Sequence, residues 1–253
     1  MGKSIAVHSS KGGSGKTSFS INLAFAYAST GKSVCLLDAD LKAPSVFNYM
    51  FPDSNCWLND VLDGKCGIMD AIVEVVDDSV APGKLSVGYC NPDIDAVREI
   101  SGKDRKWQSK ALKIIMGIKN DLFSSGIDVL IIDTGPGVDF TSVNAIAAAD
   151  YVIMVTRPER SHQKYMEQII DGIYIPLDKD YGVIMNKCHE KDPISISGMT
   201  NSEVPLLASI PCLCDIALRG DSEVLVVTDP ENLFSKAVFT VVKNIEECFS
   251  ISD

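Results

Sequence analysis

Short apolar runs rich in β-branched residues alternate with longer stretches of helical period along nearly the whole chain. The runs Ser4–Ser9, Ser33–Leu37, Lys84–Cys90, Asp128–Ile132, Tyr151–Thr156, Tyr181–Asn186 and Leu206–Ile210 predict strands. Most lack polar alternation, the pattern of strands covered on both faces. The segments Lys16–Ser29, Trp107–Ser125, Thr141–Ala148, Ser161–Gly172 and Leu233–Cys248 predict helices, the first two closed by Gly31 and Gly126. This order predicts an α/β fold, a doubly wound, mainly parallel sheet with helices on both faces. Ligands of such sheets bind at the carboxyl ends of the strands. No internal repeat or linker divides the 253 residues, so one domain is expected over 1–253. Pro44, Pro52, Gly64 and Gly67 break the region Ala43–Val80 into short pieces. An insertion of this kind is expected over the ligand edge or at a subunit contact.

Composition narrows the partners. A hydrophobic content of 46% excludes a disordered chain. No apolar run reaches the ~18 residues that would span a membrane, and the N-terminal residues carry no apolar export segment, so a cytoplasmic protein is expected. Lys+Arg 23 against Asp+Glu 34 leaves a net charge of −11, which opposes nucleic acid and anionic membrane as default partners. Lys103, Arg105, Lys106 and Lys110 form a local basic group, expected to be solvated helix surface. The eight cysteines lie among apolar segments, as in a reduced protein with buried thiols.

The candidate chemistry begins directly after the first strand, with Ser10-Lys11-Gly12-Gly13-Ser14-Gly15-Lys16-Thr17 opening the first helix. Glycines let the backbone curl so that successive N–H groups face phosphate oxygens, and the helix N-terminus adds its dipole. Lys16 supplies a mobile cation, and the Thr17 hydroxyl can ligate Mg²⁺. The strict phosphate-loop pattern wants glycine where Ser10 stands, and a second lysine, Lys11, lies inside the loop. The run Val129-Leu130-Ile131-Ile132-Asp133 delivers an acid to a strand end, where it can hold Mg²⁺ directly or through water. Asp38 and Asp40 follow the second strand, a place that demands solvent, metal or phosphate for two carboxylates. Asp40 taken alone could equally cap the next turn. At Asn186-Lys187-Cys188-His189, His189 occupies the place of the acid that reads guanine, while Asn186 can bond an adenine edge through one donor and one acceptor.

Lys11-Gly12-Gly13-x-Gly15-Lys16-Thr17 resembles the deviant Walker A loop of the MinD/ParA/Mrp ATPases, and the resemblance runs motif by motif over essentially the whole chain. It implies a P-loop NTPase fold of the SIMIBI type, ATP and Mg²⁺ as ligands, and Mg-dependent ATP hydrolysis. It also implies an ATP-dependent, face-to-face homodimer in which Lys11 reaches the partner's phosphates. Ser14 and Ser18 would join Gly12, Gly13, Gly15, Lys16 and Thr17 around the nucleotide. The segment from Asp38 to Ser45 looks like the family's switch I, with Asp40 positioning the attacking water and Asp38 supporting the site. Gly135-Pro136-Gly137 looks like switch II, and Asp133 like the Walker B acid that shares Mg²⁺ with Thr17. Asn186 resembles the adenine-contacting asparagine, with Pro211 and Asp215 in the loop beside it.

The branches of that family differ in cargo. Val238, Val241, Val242 and Ile245 form a core-facing stripe, and the polar face of the last helix carries Glu246, Glu247 and Lys243, so no membrane-targeting helix is expected. Cys212-Leu213-Cys214 is a C-x-C pair, and the resemblance leaves open a second reading as a metal or Fe–S cluster carrier of the Mrp or CooC kind. His8, His162 and His189 make no metal spacing and are read as surface or strand-end residues. The partner is expected to be a protein activator or cargo that the sequence does not name.

Overall fold

The structure is a computed structural model that describes residues 2–50, 56–189, 204–213 and 223–252. The strands are β1 (Lys3–His8), β2 (Ser33–Ala39), β3 (Ile72–Glu74), β4 (Lys84–Gly88), β5 (Val129–Thr134), β6 (Tyr151–Thr156), β7 (Asp180–Cys188) and β8 (Leu206–Pro211). The helices are α1 (Lys16–Ser29), α2 (Leu58–Asp63), α3 (Ile68–Ala71), α4 (Ile94–Ser101), α5 (Arg105–Ser124), α6 (Phe140–Ala148), α7 (Arg160–Ile169), α8 (Leu225–Thr228) and α9 (Leu233–Ser252). One eight-stranded sheet has the order β3-β4-β2-β5-β1-β6-β7-β8. Every neighbouring pair is parallel except β3 with β4.

Successive strand side chains point to opposite faces, and here both faces are dry. Val129 and Ile131 of β5 join Phe19, Leu23 and Tyr27 of α1 and Val238, Val241 and Ile245 of α9 in one core layer. Leu130 and Ile132 of the same strand pack in the opposite layer with Leu58, Leu62, Ile118 and Leu122 from α2 and α5. Further along the sheet, Val152 and Met154 of β6 and Val183 and Met185 of β7 meet Met166 and Ile169 of α7. The apolar runs without alternation therefore record a sheet sandwiched between helices. The expected stripe on the last helix is buried, with Val238, Val241 and Ile245 fully enclosed.

Four features depart from the sequence reading. Strand β3 lies inside the region read as irregular, because its three residues, two partly buried and one exposed, pair only with the edge of β4. The predicted helix Ser161–Gly172 begins at Arg160, ends as α-helix at Ile169 and continues as a π-helical turn, Ile170–Tyr174. The expectation of reduced, buried thiols holds in burial for Cys35, Cys90 and Cys188, but Cys212 and Cys248 are exposed and Cys56 is bonded to Cys66 across α2. Helix α5 starts at Arg105, two residues earlier than predicted, because the Asp104 carboxylate accepts the Trp107 N–H at 2.8 Å. The basic group at its start is indeed helix surface: Lys103 pairs with Asp63 and Glu99, and Arg105, Lys106 and Lys110 face solvent. No helix among the described residues is long and apolar enough to cross a membrane.

Candidate functional site

The central strands β2, β5 and β1 end side by side, and their carboxyl ends bring the sequence motifs together. In the sheet register Asp38 stands opposite Asp133 and Val7 opposite Asp133 on the other side. The phosphate loop runs from β1 over this edge into α1. Gly13 and Gly15 have φ of +74° and +88°, the left-handed region in which other residues are strained. A Cβ on Gly15 would lie 2.4 Å from the Asn186 Nδ2 atom, so close approach as well as backbone angle requires glycine there.

Lys16 is almost fully buried, and its Nζ donates to Asp133 Oδ1 at 3.2 Å and lies 3.9 Å from Asp40 Oδ2. The hydroxyl of Thr17 donates to Asp133 Oδ2 at 2.7 Å, and the Ser45 hydroxyl donates to Thr17 Oγ1 at 3.1 Å. Ser20, one turn further along α1, donates to Asp133 Oδ1 at 2.8 Å. The Walker B acid, the loop lysine, the loop threonine and switch I thus form one hydrogen-bonded cluster.

Asp38 is completely enclosed and accepts backbone N–H groups from Asp40, Ser45 and Val46 at 3.1–3.2 Å. Burial, reinforced by the facing Asp133 carboxylate, holds its carboxyl well above the usual range. Its three hydrogen bonds hold the turn from Asp40 to Val46 back over the loop. Burial also raises Asp40, against the opposing pull of Lys16. Asp40 accepts the Ala43 N–H at 3.1 Å and lines a cavity of about 290 Å³ with Gly12, Gly13, Lys16, Thr17 and Pro136. One Asp40 oxygen thus caps the turn to Ala43, the alternative left open by the sequence, while the residue also lines the cavity. A cluster of hard oxygen donors beside a glycine-lined cavity suits Mg²⁺ and a phosphate chain.

Switch II closes the far side. Gly135 packs so near that a Cβ there would stand 3.1 Å from Asp40 Oδ1. Lys42 of switch I pairs with Asp139, the cap of α6, at 3.1 Å. Lys11 is half-buried at the rim, and its ammonium makes no hydrogen bond or ion pair among the described residues. Gly12 and Gly13 face open space, Ser14 is buried, and Ser18 shares a 2.7 Å hydrogen bond with Tyr49.

The base-reading residues fall differently. Asn186 donates from Nδ2 to the Ser14 carbonyl at 2.8 Å and accepts the Lys187 N–H at 2.8 Å. Lys187, with φ of +59°, donates to the Gly13 carbonyl at 3.0 Å. The end of β7 therefore braces the phosphate loop, and the cavity lining contains neither Asn186 nor Pro211. Pro211 ends β8 opposite Cys188, with exposed Cys212 next to it. Asp215 and Cys214 lie outside the described residues. No cluster of three metal-ligating side chains of the His, Cys, Asp and Glu types occurs among the described residues. Ser20 and Tyr49 stand outside the motifs legible in the sequence, and Ser45 enters there only as the end of switch I; their only local signal is position within or after a recognised motif. His8, read as a surface or strand-end residue, ends β1 but is fully buried.

Residues 2–179 match the family described as "AAA domain". The uncharacterised ATP-binding protein MJ0547 of Methanocaldococcus jannaschii is 33% identical over 83% of this chain and 75% of its own length. The septum site-determining protein MinD of Bacillus subtilis is 31% identical over 67% of this chain, and the match spans 59% of that relative's length. In structure, the septum site-determining protein MinD of Pyrococcus horikoshii OT3, complexed with Mg-ADP, superposes with a TM-score of 0.80 at 24% identity, covering 100% of this chain and 99% of the other. Joined with the loop, the Walker B acid and the two switches at one sheet edge, these matches show that the chain belongs to the MinD/ParA-type P-loop ATPases.

Proposed function

We propose that the chain is a Mg-dependent ATPase whose ATP-bound form dimerises face to face, and whose hydrolysis resets the dimer as a timed switch for positioning a protein partner or cargo. The observation that carries this is the convergence of Lys16, Thr17, Asp133, Ser45 and Asp40 on one glycine-lined cavity. Thr17 and Asp133 would hold Mg²⁺, which when bound neutralises charge on the phosphates as a Lewis acid. Lys16 places its ammonium against the phosphoryl group that is transferred, and the loop amides from Gly12 to Thr17 orient it. Asp40 orients the attacking water, a role that needs position more than basicity because phosphoryl transfer is chiefly positioning and electrostatics. Lys11, with no partner for its ammonium within the described chain, is left to act on phosphates of a second copy.

ATP is the nucleotide favoured by His189 in the guanine-reading place and by the ATP-binding relative MJ0547. The spatial-positioning role is supported by the septum site-determining relatives. The metal-carrier reading has less support, since the MinD relative and structural neighbour reported above are septum site-determining proteins. The test is light-scattering mass and steady-state turnover with ATP, GTP and no nucleotide, for the wild-type chain and Lys11→Ala. Expected are a dimer and phosphate release with ATP and Mg²⁺ only, and a variant that binds ATP as a monomer with turnover lowered by orders of magnitude. A Lys11→Ala chain that dimerises and hydrolyses normally would refute the trans role, and tighter GTP than ATP binding would refute the base assignment.

A further inference from the structure

His8 is the last residue of β1, immediately before the phosphate loop, and it is completely buried. Its Nε2 lies 2.7 Å from the Gly137 carbonyl oxygen and its Nδ1 2.6 Å from the Tyr174 hydroxyl. A carbonyl only accepts, so Nε2 carries the proton and donates, and Nδ1 accepts from the Tyr174 O–H. Burial holds the imidazole neutral, with its pKa lowered to about 4.

Gly137 is the last residue of the switch II tripeptide and has φ of +81°. Its N–H donates to the Ser9 carbonyl at 2.8 Å, so both of its backbone groups are tied to the junction of β1 and the phosphate loop. Two residues before it, Gly135 stands against Asp40, and its carbonyl accepts the Ser142 hydroxyl at 2.8 Å. Tyr174 closes the other side of the imidazole from within the π-helical turn that follows α7. A π-turn adds a residue to the helical turn and re-aims the side chains it carries, and such turns recur at functional sites. Nothing in the proposed chemistry uses His8 or Tyr174, yet they lie fully enclosed behind the switch.

We propose that His8 is a positioning residue for switch II: its Nε2–H clamps the Gly137 carbonyl, Tyr174 locks the ring that does so, and together they hold Gly135–Gly137 in the arrangement that faces the terminal phosphate and Asp40. Gly135 stands against Asp40 and Pro136 lines the phosphate-loop cavity, so on the nucleotide reading the clamp acts where a terminal phosphate would lie and leaves untouched the loop amides and Lys16. Losing it frees the carbonyl of half-buried Gly137 from the protein donor that fixes its direction, which favours other switch II arrangements.

This inference rests on the nucleotide reading above, and the experiment separates the two. Wild type, His8→Phe, His8→Gln and Tyr174→Phe are compared in ADP affinity, affinity for a non-hydrolysable ATP analogue, kcat, and amide exchange at Gly137 without nucleotide. The glutamine can return an N–H to the place of Nε2, whereas phenylalanine fills the space and donates nothing. Expected for His8→Phe are ADP affinity within twofold of wild type, a fall in kcat of about tenfold (about 1.4 kcal/mol), weakened analogue binding, and faster exchange at Gly137. His8→Gln is expected to recover most of the loss, and Tyr174→Phe to fall between. The proposal is overturned if His8→Phe keeps kcat at or above the wild-type value, if ADP affinity falls in parallel with kcat, or if glutamine rescues nothing. If wild type itself neither binds nor hydrolyses ATP, the nucleotide reading fails instead, and exchange at Gly137 in the nucleotide-free chain still decides whether the clamp exists.

Discussion

Replacing Gly15 by alanine tests how β7 and the phosphate loop are built into one unit. The φ of +88° costs an alanine about 1–2 kcal/mol in the left-handed region. The new Cβ would lie 2.4 Å from Asn186 Nδ2, so the amide must swing aside. That movement breaks its 2.8 Å bond to the Ser14 carbonyl, which contributes about 1 kcal/mol and more if the carbonyl is left buried and unpaired. The sum is about 2–4 kcal/mol. The two contributions separate in a double-mutant cycle with Asn186→Ala, measured by urea unfolding of the nucleotide-free chain. With the amide already gone, Gly15→Ala should cost only the backbone part, giving a coupling of about 1–2 kcal/mol. ATP affinity should fall in Gly15→Ala and in Asn186→Ala alike, since each loosens the loop. If Gly15→Ala costs the same in both backgrounds, within about 0.5 kcal/mol, Asn186 is not what excludes a side chain there, and the described brace is wrong.

Two further outcomes follow from the acid cluster. Lys16→Ala should abolish nucleotide binding in calorimetry, whereas Asp40→Ala should bind ATP normally, lose about 100-fold in kcat and persist as the ATP-bound dimer; wild-type turnover by Asp40→Ala would show its role misassigned. The raised carboxyl of Asp38 holds its proton more tightly folded than unfolded, so ionising it opposes folding, and stability is lost as pH rises from its ordinary 3.8 toward neutrality and above. Asp38→Asn should therefore gain on wild type by up to about 1.4 kcal/mol per pH unit in that window, read as a difference so that His8, common to both chains, cancels; a pH-independent difference in urea unfolding would contradict the assignment.

Much of this was legible along the chain because it is local. The loop from Ser10 to Thr17 needs only its own glycines and the helix it opens, and an apolar run ending in Asp133 needs only a strand buried on both faces. Seven of the eight strands were legible as apolar runs, while β3 was not, since two half-buried residues and an exposed one become a strand only against the β4 edge. The resemblance of the motifs supplied the family, and the sheet order then placed Asp38, Asp40 and Asp133 together. Tertiary structure alone decided the pairings between distant residues. Lys16 and Asp133 are 117 residues apart, Ser14 and Asn186 172, and His8 and Tyr174 166. No periodicity encodes which buried polar atom will meet which. A histidine at a strand end looks the same whether it faces water or is sealed beneath a switch, and only the packing of β1, switch II and the π-turn makes His8 a neutral donor. Asn186 is identifiable as a special residue by its place near the end of β7, but its use as a brace for the loop depends on how closely β7 and Gly15 approach. Burial leaves each such group only the partners that the fold brings to it.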